Sequence, residues 1–236
     1  MEVIVIKNSI ANLVDGNDLS INEAKEVMET IMDGDATPAQ IGAFITALRL
    51  KGETPEEIAG MASIMRQKSV SVNIDRPVLD TCGTGGDGAN SLNISTATAL
   101  LVSSIGITVA KHGNRAMSGS TGSADVLESL GANIQLNGSD VESCLKKIGF
   151  GFMFAQMFHP SMKYAAAPRK EIGIRTVFNL LGPLTNPAGA EYQLIGVSER
   201  SIGNKLIHAL KILGSTKAVV VHGLDGLDEV SLADET

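Results

Sequence analysis

Between Val78 and Thr96 the chain reads Val-Leu-Asp-Thr-Cys-Gly-Thr-Gly-Gly-Asp-Gly-Ala-Asn-Ser-Leu-Asn-Ile-Ser-Thr. Two apolar residues enter this stretch like the end of a strand, and a run of small and turn-forming residues follows. Thr96-Ala97-Thr98-Ala99-Leu100-Leu101-Val102 then leaves it like the first turns of a buried helix. Residues without a Cβ take positive φ and aim consecutive N–H groups into one concavity. A helix N-terminus beside them adds unpaired donors and partial positive charge, so phosphate is the natural guest. Gly83, Gly85, Gly86 and Gly88 are interleaved with Thr84, Asp87, Asn93, Ser95 and Thr96, which supply hydroxyls, an amide and a carboxylate able to bind a metal. A ligand-free turn could use the same glycines. The stretch fits neither the dinucleotide fingerprint nor the nucleoside-triphosphate loop, which ends in Gly-Lys-Ser/Thr.

The 236 residues suffice for one large domain plus a small one. Hydrophobic residues make up 44%, with 25 glycines, two tyrosines and no tryptophan, so the interior is aliphatic and closely packed, as suits alternating strands and helices. The net charge of −7 has no basic stripe, which speaks against a nucleic-acid partner. Cys82 and Cys144 lie in unlike contexts and form no metal or disulfide spacing. There is no apolar run of membrane-spanning length and no leader pattern, so no membrane partner and a cytoplasmic location are expected.

Residues 1–70 read as a small helical domain. Ser20-Ile21-Asn22-Glu23, Thr37-Pro38-Ala39-Gln40 and Thr54-Pro55-Glu56-Glu57 each have the form of a capping box, two of them with proline at the first helical position. The apolar stripes behind them need a further surface to cover them, on the rest of the chain or on a second copy. From residue 71 to 236 short apolar runs alternate with helical periodicity. Strands are expected at 78–79, 107–110, 150–154, 193–197 and 218–222, and helices at 95–104, 123–130, 139–148 and 200–213. The pattern predicts a mostly parallel α/β sheet with ligands beyond the carboxyl ends of its strands. A second glycine-rich stretch, Lys111 to Ser123, follows the second strand and carries two cations and several hydroxyls. Two such loops together suit a ligand with more than one phosphate.

The motifs Gly83-Thr84-Gly85-Gly86-Asp87, Asn93-Ile94-Ser95-Thr96, Lys111-His112-Gly113-Asn114-Arg115-Ala116 and Gly122-Ser123-Ala124-Asp125 resemble those of the anthranilate phosphoribosyltransferases of tryptophan biosynthesis. The resemblance continues through His159-Pro160, Arg169, Gly173-Ile174-Arg175-Thr176 and the run from Asn179 to Pro187, so it spans essentially the whole chain. It implies a helical domain in front of a nucleoside-phosphorylase-like α/β domain, and a homodimer formed through the helices. The implied reaction is attack of the anthranilate amine on the anomeric carbon of 5-phosphoribosyl 1-pyrophosphate, with pyrophosphate leaving. Such chemistry asks for positioning and electrostatic stabilisation, and for no catalytic nucleophile or strong base.

By the same resemblance, Gly83, Gly86, Asp87, Ser91, Asn93, Ile94, Ser95 and Thr96 surround pyrophosphate and ribose. Lys111, His112, Gly113, Asn114, Arg115, Ala116, Met117, Ser118, Gly119 and Ser123 close over the phosphates from the other side. Gly83, Asn114 and Arg169 are implied for anthranilate, with Arg169 on its carboxylate. Ser95, Asp228 and Glu229 are implied as magnesium ligands, with two Mg²⁺ per site. His159, His208, His222 and Arg175 are read as structural. Ser91 stands where the family commonly has threonine, and relative to the family the chain is expected to be shortened at its carboxyl end, leaving apolar sheet faces to cover. The rival readings are a pyrimidine nucleoside phosphorylase and a non-catalytic phosphate- or nucleic-acid-binding relative.

Overall fold

A computed structural model of the chain describes residues 2–88, 92–116 and 121–236. It opens with helices α1 (Glu2–Val14), α2 (Ile21–Asp33), α3 (Pro38–Lys51) and α4 (Pro55–Gln67). The predicted helix starts hold, because each is fixed by contacts three residues apart. Ser20, Thr37 and Thr54 accept from the amides of Glu23, Gln40 and Glu57, and those side chains reach back to the cap amides. Helix α1, which carries no such start signal, packs against α2 and α3.

One capping box also makes long-range contacts. Glu57 is fully buried, and its carboxylate accepts from Leu19 N–H at 2.8 Å, from its own cap Thr54 N–H at 2.8 Å and from Lys51 Nζ at 3.1 Å. It therefore ties the α1–α2 and α3–α4 connections together. Glu57→Ala is expected to lower the unfolding free energy by about 3–5 kcal/mol, since it strands a buried cation and two amides. Thr54→Ala, which removes only the cap, is expected to cost about 1 kcal/mol. Urea unfolding of both variants measures the difference, and equal losses would show that the carboxylate is no more than a cap.

The remaining elements alternate. They are β1 (Leu79–Gly83), α5 (Ile94–Ser104), β2 (Val109–Gly113), α6 (Ser123–Ser129), α7 (Gly138–Ile148), β3 (Phe150–Phe154), α8 (Ala155–Phe158), α9 (Lys163–Ile172), α10 (Phe178–Leu181), β4 (Tyr192–Gly196), α11 (Arg200–Ile212) and β5 (Lys217–Val221). The strands form one parallel sheet in the order β3-β2-β1-β4-β5. Strand order reverses between β1 and β4, and the carboxyl ends of those two strands open the crevice in which sheets of this kind bind ligands.

Residues Cys82, Ile195 and Val220 lie on one face of the sheet, in a core that runs on through Leu206 and Leu210 of α11 into Phe44, Ile45 and Met61 of the helical layer. Further along that face Ala110 and Met153 pack with Val141 and Leu145 of α7. The opposite face carries Phe152 and Phe154, covered by Ala124 and Leu127 of α6. Among the described residues no helix is long and apolar enough to cross a membrane.

The first two strands run further than their apolar residues predict. β1 continues to Gly83 and β2 to Gly113, so Gly83 and Lys111-His112-Gly113 are strand residues rather than loop residues. The polar residues Asp80, Thr81, Lys111 and His112 are all buried, each hydrogen-bonded to a distant partner, and so break the apolar pattern without ending the strand. Helix α9 escapes the sequence pattern because Pro168 lies inside it. Proline removes one helical hydrogen bond, but this helix grows out of a 3-10 turn at Pro160–Met162 and is held against α2 and α3.

Candidate active site

The crevice at the strand-order reversal is lined by the ends of β1 and β4, Gly83 and Gly196, which are in register. Space demands glycine at Gly196 and is tight at Gly83. A Cβ on Gly196 would lie 1.6 Å from the Asp228 carbonyl oxygen, and one on Gly83 would lie 3.0 Å from Asp228 Oδ2. The segment bearing Asp228 and Glu229 is thus seated directly on the two strand ends, which brings residues far apart in the chain onto the first glycine loop. Gly85 N–H donates to Asp228 Oδ2 at 2.9 Å, and Glu229 accepts from the Ser95 backbone at the start of α5. Asp87 hydrogen-bonds to Asp228.

Electrostatics mark this cluster. Burial, reinforced by the Asp87 carboxylate, pushes Asp228 up to about 6. Burial, reinforced by Asp228, pushes Glu229 up to about 7, against the opposing pull of Lys111. Crowded, half-buried carboxylates beside a serine hydroxyl are hard oxygen donors that suit a magnesium ion. Among the described residues no three His, Cys, Asp or Glu side chains converge closely enough to hold a metal by themselves. An ion here would complete its shell with phosphate oxygens and water, as magnesium commonly does.

Asn93 caps α5, its side chain accepting from Thr96 N–H at 3.2 Å, so its carbonyl oxygen serves the helix and orients the donors behind it. Ile94, Ser95 and Thr96 form the first turn. Lys111 does not lie over the loop. It is fully buried beneath it, donating to the Thr81 carbonyl and, at 3.2 Å, to Ser95 Oγ. Burial pulls its ammonium below the ordinary lysine value while Asp80, Cys82 and Glu229 oppose that.

The second glycine stretch is clasped at its base. Asp125 accepts from Ala116 N–H at 3.0 Å and Gly122 N–H at 2.8 Å, and Ala124 N–H donates to Asn114 O at 3.2 Å. Ser123 packs against Gly113. Arg115 pairs with Asp125 and, through two nitrogens, with Glu128 at 2.7 and 3.0 Å. Its guanidinium is therefore engaged within the protein, and its own N–H donates to Asn114 Oδ1 at 2.8 Å. Ser91, Met117, Ser118 and Gly119 lie outside the described residues.

On the bundle-facing side of the sheet, His112 and His159 stack at a tilt with ring centroids 5.0 Å apart. His112 N–H donates to Asp80 Oδ1 at 3.3 Å, and its Nδ1 lies 3.3 Å from Gly182 O. Burial drives His112 down to about 3 and His159 down to about 4, so both rings are neutral at physiological pH. Both Nε2 atoms are buried without a hydrogen-bond partner among the described residues. Arg169, on α9, sets its guanidinium 4.9 Å from the centre of the Phe178 ring. Burial holds it below the usual arginine value.

Two positions that read as structural or ordinary in the sequence belong to this site. Arg175 reaches the first glycine loop, and Gly196 makes room for the acidic segment. A glycine ending a strand is visible in the sequence at Gly196; its partner Gly83 at the neighbouring strand end is the signal that could have paired them.

Two family models match the chain. The helical bundle domain of a glycosyl transferase family covers residues 7–69 and the a/b domain of the same family covers residues 75–236. An anthranilate phosphoribosyltransferase from Dehalococcoides mccartyi is 58% identical over 232 residues, covering 98% of this chain and 68% of the relative. The crystal structure of the anthranilate phosphoribosyltransferase from Thermus thermophilus superposes with a TM-score of 0.88 at 44% identity, covering 95% of this chain and 68% of that one. The Saccharomyces cerevisiae enzyme in complex with PRPP and Mg superposes with a TM-score of 0.88 at 29% identity, covering 96% and 68%. The sequence match, the two-part architecture and the acidic cluster on the glycine loop agree, and the chain belongs to the anthranilate phosphoribosyltransferase family.

Proposed function

We propose that the chain transfers the phosphoribosyl group of 5-phosphoribosyl 1-pyrophosphate to the amine of anthranilate, releasing pyrophosphate, as a pentosyltransferase of tryptophan biosynthesis. The observation that carries this reading is the seating of Asp228 and Glu229 on the first glycine loop, where the crevice at the strand-order reversal meets the start of α5. The loop amides and the α5 N-terminus donate to phosphoryl oxygens, and negative charge that builds on the departing pyrophosphate is met there. Magnesium, two ions per site when bound, would be held by Ser95, Asp228 and Glu229 and would neutralise phosphoryl charge. The base of the second loop, from Gly113 to Ala116 with Ser123, would bound the pyrophosphate on its other side. Lys111 would act from below through Ser95. The similarities do not favour a nucleoside phosphorylase.

Anthranilate would enter from the Arg169 side, with Asn114 and the Gly83 backbone lining the same pocket. Attack on the anomeric carbon needs only a neutral amine held in line. The helical layer, residues 1–70, would carry a homodimer contact, the α/β part, residues 71–236, would bind the phosphoribosyl donor, and the enzyme would work in the cytoplasm.

The test is anthranilate fluorescence against time with Mg²⁺ and phosphoribosyl pyrophosphate, on wild type and Arg169→Ala. Wild type is expected to consume anthranilate. Arg169→Ala is expected to raise the anthranilate KM by about tenfold or more, with the phosphoribosyl pyrophosphate KM little changed, because a charge-assisted pair to a carboxylate is lost. No consumption by wild type would reject the transferase reading. A rise confined to the phosphoribosyl pyrophosphate KM would place Arg169 at the other substrate.

A further inference from the structure

We propose that Arg175 is a positioning residue of this phosphate site, fixing the first glycine loop in the conformation that turns its backbone donors toward pyrophosphate. The inference rests on the transferase reading above for the identity of the ligand and on the local geometry for the role.

Arg175 Nη1 donates to Gly85 O at 2.5 Å and Nη2 donates to Thr84 O at 3.2 Å. The amides of the same two residues are also held. Thr84 N–H donates to Gly196 O at 2.9 Å and Gly85 N–H to Asp228 Oδ2 at 2.9 Å. In a trans peptide the C=O and the following N–H point in opposite directions. Pulling Gly85 O toward Arg175 therefore turns Gly86 N–H away from the arginine, and holding Thr84 O there turns Gly85 N–H onto the acidic segment. One guanidinium sets the orientation of two successive peptide planes.

Gly86 shows how closely the arm fits. Its φ is +84°, and a Cβ built on it would lie 1.4 Å from Arg175 Nη1. The positive φ favours glycine, and the arginine tip occupies the space that a side chain at residue 86 would need, so any larger residue there would have to push the guanidinium off the loop. The arm has a fixed base, since Thr176 is buried and its N–H donates to Asn179 Oδ1 at 3.0 Å at the start of α10. A planar fork can hold two adjacent carbonyls at once, which a lysine ammonium on a flexible stem cannot reproduce. Gly85, Gly86 and Gly88 all have positive φ, so without the fork this loop has wide backbone freedom to lose on binding.

The test is the affinity of the folded chain for Mg²⁺-pyrophosphate by titration calorimetry in wild type, Arg175→Ala, Arg175→Gln and Arg175→Lys. Circular dichroism and anthranilate binding serve as controls. Arg175→Ala is expected to bind pyrophosphate about tenfold more weakly or worse, with anthranilate affinity within about twofold. Lysine and glutamine should fall between. Added guanidinium ion should restore pyrophosphate affinity in Arg175→Ala and leave Arg175→Lys unimproved. Wild-type affinity in Arg175→Ala would overturn the proposal, and so would equal losses for both ligands. Should Arg175→Ala fail to fold, wild-type affinity in a folded Arg175→Lys would overturn it equally. Pyrophosphate binding is read without turnover, so a wild-type chain that binds pyrophosphate but leaves anthranilate unconsumed would count against the transfer reaction and still decide the role of Arg175.

Discussion

Asp228→Asn combined with Glu229→Gln is expected to lower magnesium-dependent turnover by about two to three orders of magnitude while leaving the fold as stable as wild type or more so. The two effects have one cause. Burial, with carboxylate neighbours, raises Asp228 to about 6 and Glu229 to about 7. A carboxyl whose pKa is higher folded than unfolded keeps its proton longer in the folded state. Stability from this pair is therefore full at acidic pH, declines as pH rises through the window from about 4 to about 7, and stays low above it. At pH 8 without magnesium, wild type carries the whole electrostatic penalty and the amide variant does not. Thermal unfolding at pH 8 should then show the variant at or above wild type, and magnesium with pyrophosphate should raise the wild-type midpoint but not the variant's. A variant that loses stability, or that gains it from magnesium as wild type does, would remove the acidic pair from the metal site.

What is legible in the sequence is local. The three capping boxes are contacts between residues three apart, and each forms as read. The strand-loop-helix order at 78–96 likewise depends on neighbouring residues. The parts that are not legible depend on partners far along the chain. Asp80 looks like the end of a strand, yet it is a buried strand residue because Asn186 Nδ2 donates to it at 2.7 Å across 106 positions. Arg175 reads as structural in the sequence, and only the folded chain brings it to Gly85, 90 positions earlier. Arg115 carries the motif's cationic promise, but Glu128 and Asp125 on α6 claim its guanidinium, a pairing that depends on where α6 packs. Residue types at the site can thus be named from the sequence, whereas what each side chain does there cannot.

Lys111 is the sharpest case, and Lys111→Met is expected to destabilise the fold by about 3 kcal/mol at pH 8 as well as to impair pyrophosphate binding. The motif suggests a phosphate ligand. The structure puts the ammonium in the interior, fully buried, on the Thr81 carbonyl and Ser95 Oγ, with Asp80 the strongest of the negative groups that favour its charge. Methionine fills a similar volume, so the loss is mainly electrostatic. The loss stays near this value because Asp80, which acts on the ammonium through its charge rather than as a contact partner, keeps donors from His112 N–H and Asn186 Nδ2. Burial already raises Asp80 above the usual carboxylate range, and without the ammonium it rises further. Protonation then relieves the buried charge, so the deficit should shrink as pH is lowered from 8 toward 5, which a packing defect would not do. Urea unfolding across that range measures it. Wild-type stability with pyrophosphate affinity alone lost would return Lys111 to the role the motif suggests, a cation facing phosphate rather than one supporting the loop and helix that do.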